Sequence, residues 1–205
     1  MDPAQVGNQR RLLASEQAGK GAIASKFNDF KLKADAEAAK AVIAVVKQRE
    51  SDGYQYEGAD ASLELLMRRH LGSHKPLFSL LTYHVDVERR GELEPSEASV
   101  KLQVGNQIVF TVAEGNGPVN ALDAALRKAL LTSFPGLKGV ELVDYKVRVL
   151  AGKRGTEAKV RVLIESRDAK GATWSTVGVH ENIIEASWEA LMDAVEYRLL
   201  KHGRR

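Results

Sequence analysis

Alternation of apolar and polar positions predicts β-strands in the second part of the chain. In residues 77–90, every second side chain from Tyr83 through Val85 to Val87 is apolar, as in a strand with one buried face. Residues 98–104 and 107–115 alternate in the same way, and a turn at Gly105-Asn106 separates them. The pattern then changes to helical spacing from Pro118 to about Thr132.

The same order of elements is predicted a second time. Strands are expected at 140–150, 157–167 and 172–180, followed by a helix from Ile183 to about His202. Individual residues repeat as well: Tyr83, Val85 and Val87 correspond to Tyr145, Val147 and Val149; Ala98, Val100 and Leu102 to Ala158, Val160 and Val162; Thr111 to Thr176; and Ala121, Ala125, Leu126 and Ala129 to Ala186, Ala190, Leu191 and Ala194. These matches predict two βββα units, residues 77–134 and 138–202, related by a pseudo-twofold axis.

Residues 1–75 have a different pattern, with two short helices and no predicted strand. Asp35 is expected to cap a helix that runs to about Glu50, and a second helix begins at Asp60 and ends at Gly72. Residues 6–23 show no clear period. The predicted fold class is therefore α+β, with a helical linker subdomain (1–75) followed by a domain of two βββα units (76–205).

Each unit turns abruptly from its third strand into its helix. Gly117 is the predicted cap of the first helix, and Asn182, with Glu185 three residues later, forms a predicted capping box at the second. A helix N-terminus has about four N–H groups without intrahelical partners, so two such corners facing one cleft would attract a carboxylate. Gly115 and Gly117 would allow a ligand to approach the backbone. Plain turns are the more frequent explanation of such corners.

Composition limits the functions that these elements can serve. Cysteine is absent, which excludes disulfides and thiolate chemistry, and the net charge of +3 is too small to indicate nucleic-acid binding unaided. A solvated face is the favoured explanation of a predicted basic stripe on one sheet face, over nucleic-acid binding. Its members are Lys146, Arg148, Lys159 and Arg161. No apolar run reaches a membrane span and no signal segment follows Met1, so we expect a cytoplasmic protein without membrane contact.

Catalytic and metal sites are not expected in this chain. The five histidines form no pair with metal-binding spacing, and the serines lack the context of an activated nucleophile. The last helix, in contrast, has more apolar surface than one sheet contact requires. That surplus predicts a second buried contact, either with the N-terminal helices or with another copy of the chain.

Four stretches of the chain resemble one enzyme family: VGNQRRLLASEQAGKGAI (6–23), GYQYEGADASLELLMRR (53–69), GNGPVNALDAALRKAL (115–130) and ENIIEASWEALMDAVEYRLL (181–200). They are similar to the C-terminal portion of citramalate synthases, within the 2-isopropylmalate/homocitrate synthase family. The resemblance implies a parent enzyme whose TIM barrel condenses acetyl-CoA with pyruvate, using a divalent metal. A linker and a dimerising regulatory domain would follow that barrel. No barrel motif occurs here, so we expect a fragment without catalysis or a cofactor of its own.

The resemblance also implies an effector, isoleucine in the citramalate branch or leucine in the isopropylmalate branch, bound for feedback inhibition by a homodimer. Its carboxylate would lie at a helix N-terminus, its side chain among Tyr145, Val177 and Ile184, and its ammonium beside Asp144. The candidate effector-binding residues are Gly115, Asn116, Gly117, Pro118, Val119, Asp144, Tyr145, Thr176, Val177, Gly178, Asn182, Ile183 and Ile184. A basic nucleic-acid-binding module is the alternative.

Overall fold

The computed structural model describes residues 20–88, 95–150 and 158–202, and it confirms the α+β class with two βββα units. The elements are α1 (Lys20–Asp29), α2 (Ala36–Ser51), α3 (Asp60–His70), β1 (Phe78–Val87), β2 (Ser96–Val104), β3 (Gln107–Gly115), α4 (Pro118–Leu131), β4 (Glu141–Val149), β5 (Val160–Arg167), β6 (Thr173–His180) and α5 (Ile183–His202). None of the helices in these ranges is both long and apolar enough to span a membrane.

Each unit is an antiparallel three-stranded meander followed by one helix. The strand orders are β1-β2-β3 and β4-β5-β6. Helix α4 packs on β2 and β3, helix α5 packs on β5 and β6, and the two helices contact each other. One core therefore joins both units, with Leu102 and Leu126 of the first unit and Ile164 and Leu191 of the second fully buried in it.

The strand ladders show how the two units correspond. Tyr83 lies opposite Val100, which lies opposite Thr111. Tyr145, Ile164 and Thr176 form the same row in the second unit, and both first strands carry a bulge two residues before the tyrosine. The predicted match of Ala98, Val100 and Leu102 with Ala158, Val160 and Val162 was therefore wrong by four residues. An even shift preserves the alternation of a strand, so the pattern could not detect this error.

Threonine side chains fix each helix onto its own sheet in the same way. The hydroxyl of Thr111 donates to the carbonyl oxygen of Ala125 at 2.8 Å, and the hydroxyl of Thr176 donates to that of Ala190 at 2.8 Å. The small alanine side chains, which the sequence repeat had aligned, allow each helix to approach its sheet closely enough for these hydrogen bonds. Both pairs confirm the predicted equivalence of the third strands and helices.

The N-terminal helices pack only on the second unit within the described residues. Helix α3 contacts α5 and β6, and its Ala61 lies in a small apolar cluster with Trp174 and Tyr197. The surplus apolar surface of α5 is thus covered by α3. Helix α2 begins as predicted, because the Asp35 carboxylate accepts a 2.8 Å hydrogen bond from the Ala38 N–H. Helix α1 was not predicted.

Candidate functional site

The corner between β6 and α5 is capped by Asn182. Its side-chain oxygen accepts a 2.8 Å hydrogen bond from the Ile184 N–H, while its own N–H donates to the His180 ring at 2.9 Å. In the predicted capping box, Glu185 would accept a hydrogen bond from the Asn182 N–H, but that N–H bonds to His180 instead. Glu185 instead accepts a 2.5 Å hydrogen bond from the hydroxyl of Tyr83 in the first unit.

Two tyrosines, one from each unit, converge on the first turn of α5. Besides its bond to Glu185, the Tyr83 ring lies 5.4 Å from that of Trp188, and burial followed by the Glu185 bond raises the Tyr83 pKa. The Tyr145 hydroxyl lies 2.9 Å from that of Ser187, which donates to the Ile183 carbonyl at 2.6 Å. The first turn of α5 is therefore held by both units, which no local sequence signal predicted.

Strand β4 leaves part of its helix-facing side open. Helix α5 packs along β5 and β6 and reaches β4 through the contact of Ser187 with Tyr145, and no other helix of the described chain packs on that strand. Val147 and Val149, on the same side of the sheet as Tyr145, are consequently 40% and 66% exposed. Ile183, the first residue of α5, is 42% exposed. It follows shortly after His180, which lies in the same row of the sheet as Val149. We call Val147, Val149 and Ile183 the β4 patch.

The first corner is more closed than the sequence suggested. A Cβ on Gly115 would lie 2.3 Å from the Ala121 nitrogen, so this glycine serves the close approach of α4 rather than of a ligand. The Asn116 N–H donates to the Asn120 side chain at 3.1 Å. Open space remains beside Gly117, where an added Cβ would meet no atom within 4 Å. Pro118 and Val119 follow at the half-buried start of α4.

Four further candidates have structural roles inside the chain. Thr176 is committed to the Ala190 carbonyl, and a Cβ on Gly178 would lie 2.0 Å from the Ala186 carbonyl oxygen. Val177 faces the N-terminal helices, whereas Tyr145 shares its side of the sheet with Thr176. The single chain therefore forms no pocket lined jointly by Tyr145, Val177 and Ile184.

Asp144 lies on the opposite side of β4 from Tyr145. It pairs with the exposed Lys146, and this hydrogen bond lowers the pKa of Asp144. The sequence placed Asp144 beside Tyr145, but neighbouring strand residues point to opposite sides of a sheet. An ammonium near Tyr145 would therefore need an acceptor other than Asp144 of the same chain.

A polar network joins α3 to α5, behind the corner. Arg69 contacts Asp193 at 2.8 Å and Glu196 at 2.7 Å, and the Ser62 hydroxyl donates to Asp193 at 2.6 Å. Burial raises the pKa of Asp193 to about 6, with Arg69 and Ser62 acting in the opposite direction. The partners are more than a hundred positions apart in sequence, which is why local patterns did not reveal them.

Half of the predicted basic stripe binds the segment after α2. Arg161 donates to the Gly53 carbonyl at 2.6 Å and to the Gln55 side chain at 2.5 Å, and Lys159 reaches the Asp52 carbonyl at 3.5 Å. Lys146 and Arg148 remain exposed. In the part of the chain that the structure describes, no group of three or more acidic or histidine side chains could hold a metal ion.

Comparison with known proteins gives consistent matches. The family described as the LeuA allosteric (dimerisation) domain matches residues 57–199. The (R)-citramalate synthase of Geobacter sulfurreducens is 50% identical over 97% of this chain and 38% of its own length. Those of Aquifex aeolicus and Sulfolobus acidocaldarius are 46% and 38% identical, over 98% and 97% of this chain and 39% and 37% of their own lengths. The chain thus spans about two fifths of these curated relatives.

Proposed function

The chain belongs to the LeuA allosteric (dimerisation) domain family, and from this premise we propose that it is the isoleucine-binding regulatory part of a citramalate synthase. Its parent enzyme would condense acetyl-CoA with pyruvate in the cytoplasm, on a metal-dependent barrel outside these residues. Isoleucine, as the end product, would inhibit that reaction. The names of the curated relatives support the citramalate branch over the leucine-regulated alternative.

The observation that carries the proposal is the β4 patch beside the first turn of α5. Val147, Val149 and Ile183 expose branched apolar side chains, and Val149 lies in the same row of the sheet as His180, at the end where α5 begins. That N-terminus has N–H groups suited to a carboxylate, of which Asn182 satisfies one. An amino acid with a branched aliphatic side chain combines these two chemical requirements.

A homodimer would complete the site. The patch is open in one chain, and a surface of this kind is typically covered when two copies associate. In a twofold-symmetric dimer the same patch is buried twice, so a ligand at each copy would lie between subunits. The second subunit would also supply the acceptor for the ligand's ammonium, since Asp144 points away from Tyr145.

The ligand regulates the parent enzyme only if it binds one arrangement of the dimer more tightly than another. The preference would be set at the first turn of α5, because Tyr83 and Tyr145 tie both units to it. Arg161 of the basic stripe is hydrogen-bonded to the linker. No contact in the described chain favours the nucleic-acid alternative.

Calorimetric titration of the chain with isoleucine, leucine and valine tests this proposal. We expect saturable heat from isoleucine and little from the other two. Replacing Ile183 with Asp should abolish the heat because it places a negative charge beside the ligand's carboxylate. Leu131→Asp is the matched control, since Leu131 is similarly exposed but lies at the C-terminal end of α4, in the first unit. Heat from leucine alone would indicate the isopropylmalate branch, and silence with all three would refute the proposal.

A further inference from the structure

Strand β6 is the outer strand of its sheet, so the N–H groups on its free edge need partners outside the ladder. Two of them have such partners. The Val177 N–H donates to the hydroxyl of Ser62 at 3.0 Å, and the Val179 N–H donates to the carboxylate of Glu189 at 3.2 Å. One acceptor belongs to α3 and the other to α5.

Both acceptors also take part in a second hydrogen bond. Ser62 donates to Asp193 on α5 at 2.6 Å, so its hydroxyl bridges the strand and the helix. Glu189 accepts a 2.6 Å hydrogen bond from the hydroxyl of Tyr54, in the segment between α2 and α3. We call this junction, formed by Val177, Val179, Glu189 and Asp193, the β6–α5 seam. The bridge from Val177 to Asp193 runs through Ser62, and Glu189, which joins Val179 directly to α5, is also bound by Tyr54.

Burial makes these contacts sensitive to displacement. Ser62 is 3% exposed and Asp193 is 7% exposed, and Arg69 pairs with Asp193 from α3. A buried donor or acceptor that loses its partner is costly, because water cannot replace it. The two buried bonds of Ser62 therefore couple α3 to small displacements of β6 relative to α5, which Thr176 also joins directly.

The first unit has no equivalent seam. In the alignment fixed by the two threonine–helix bonds, the counterparts of Glu189 and Asp193 are Ala124 and Lys128. Lys128 donates to the Val112 carbonyl of its own unit at 3.0 Å. Across the described ranges, α1, α2 and α3 share no packing contact with β1, β2, β3 or α4. The two βββα units are thus equivalent in fold but not in their connection to the linker.

We propose that Ser62 and Tyr54 are positioning residues through which the linker follows the β6–α5 seam, so that a change at the first turn of α5 reaches the linker through the second unit alone. Only Glu181 and Asn182 separate β6 from α5, so a ligand at this corner acts on both sides of the seam. The proposal rests on the proposed function for the identity of the ligand, but the connection itself exists without a ligand.

The connection can be tested first without any ligand, by hydrogen exchange of the whole chain with mass spectrometry. Asn182→Ala removes the cap of α5, and Asn120→Ala removes the matched side-chain contact at the corner of the first unit. We expect exchange of the α3 amides to rise about fivefold in Asn182→Ala, as loss of an N-cap would give, and to stay unchanged in Asn120→Ala. Equal effects of the two variants on α3, or no effect of either, would overturn the proposal.

A second experiment adds isoleucine. The wild-type chain should show altered exchange in α3 on saturation, and the double variant Ser62→Ala, Tyr54→Phe should lose that response while still binding isoleucine in calorimetry. Lys26→Met is the control, because it removes a 2.7 Å contact with Asp60 inside the linker and leaves the seam intact. A response that persists in the double variant would overturn the positioning role. Absence of isoleucine heat in the wild type would refute the proposed function, and the ligand-free comparison would still decide this inference.

Discussion

Tyr83 donates a 2.5 Å hydrogen bond to Glu185, and this contact ties the first strand of one βββα unit to the helix of the other across 102 positions of sequence. The sequence repeat aligned Tyr83 with Tyr145, but the two tyrosines have different partners. Tyr145 contacts Ser187 of its own unit. The pseudo-twofold symmetry is therefore broken at the first turn of α5, where the candidate site lies.

Tyr83→Phe should lower the free energy of unfolding by about 1 kcal/mol, because Glu185 loses the partner shown for its carboxylate. Tyr145→Phe should cost less, because Ser187 keeps its bond to the Ile183 carbonyl. Urea unfolding followed by far-UV circular dichroism measures both. A larger loss for Tyr145→Phe would show that the Tyr83 contact does not hold the two units together.

Asp193 should make stability decrease as the pH rises from about 4 to about 6. Its pKa is raised by burial to about 6 in the folded chain, whereas the unfolded chain releases this proton near pH 4. Between these values the folded state holds the extra proton, so stability present at low pH is lost with a slope of at most about 1.4 kcal/mol per pH unit. Denaturant titrations of the wild type and Asp193→Asn, compared across this range, isolate the contribution. Parallel pH profiles would contradict it.

Gly178 and Gly115 should be intolerant of alanine for a packing reason. An added Cβ would lie 2.0 Å from the Ala186 carbonyl oxygen and 2.3 Å from the Ala121 nitrogen respectively. Each replacement should cost roughly 2 kcal/mol or more, since backbone must move to admit the methyl group. Gly117→Ala meets no atom within 4 Å, so its cost should be smaller, on the order of 1 kcal/mol, and come only from the φ of +158° that alanine rarely adopts. Thermal unfolding compares the three, and equal shifts in Tm would contradict the packing account.

Periodicity predicted the strands and the helices α4 and α5 from alternation and helical spacing, including β4, whose helix-facing side is partly exposed. It missed α1, whose buried side rests on little more than Ile23 and Phe27. It also aligned β2 with β5 wrongly, since valines at every second position fit several registers equally well. The ladders corrected this by fixing which residues lie opposite Tyr83 and Tyr145.

The sequence predicted the helix start at which the candidate site lies, but not which side chains surround it. The Asn182 cap follows from a local rule, and the structure contains it. Asp144 lies on the opposite side of β4 from Tyr145 because neighbouring strand residues alternate, so the strand pattern already separated these two side chains. The partners of Ser62 and Tyr54 lie on elements that only the tertiary fold brings together. Local signals therefore located the helix start, and long-range contacts decided which side chains surround it.

Val149→Lys should weaken self-association of the chain. Val149 is 66% exposed in the β4 patch, and a buried lysine without a partner is strongly unfavourable in a subunit interface. Sedimentation equilibrium should show a dimer for the wild type and mostly monomer for the variant. Leu131→Lys is the control, 39% exposed before replacement, and should remain dimeric. A dimeric Val149→Lys variant would place the interface elsewhere.

An amide NMR titration of the deuterated chain with isoleucine reports both whether the ligand binds and where it binds. We predict saturable shifts concentrated at residues 182–185 and around Tyr145, extending to α3 through the β6–α5 seam, with smaller changes in β1, β2 and β3. A spectrum that isoleucine leaves unchanged, or shifts confined to other surfaces, would contradict this prediction.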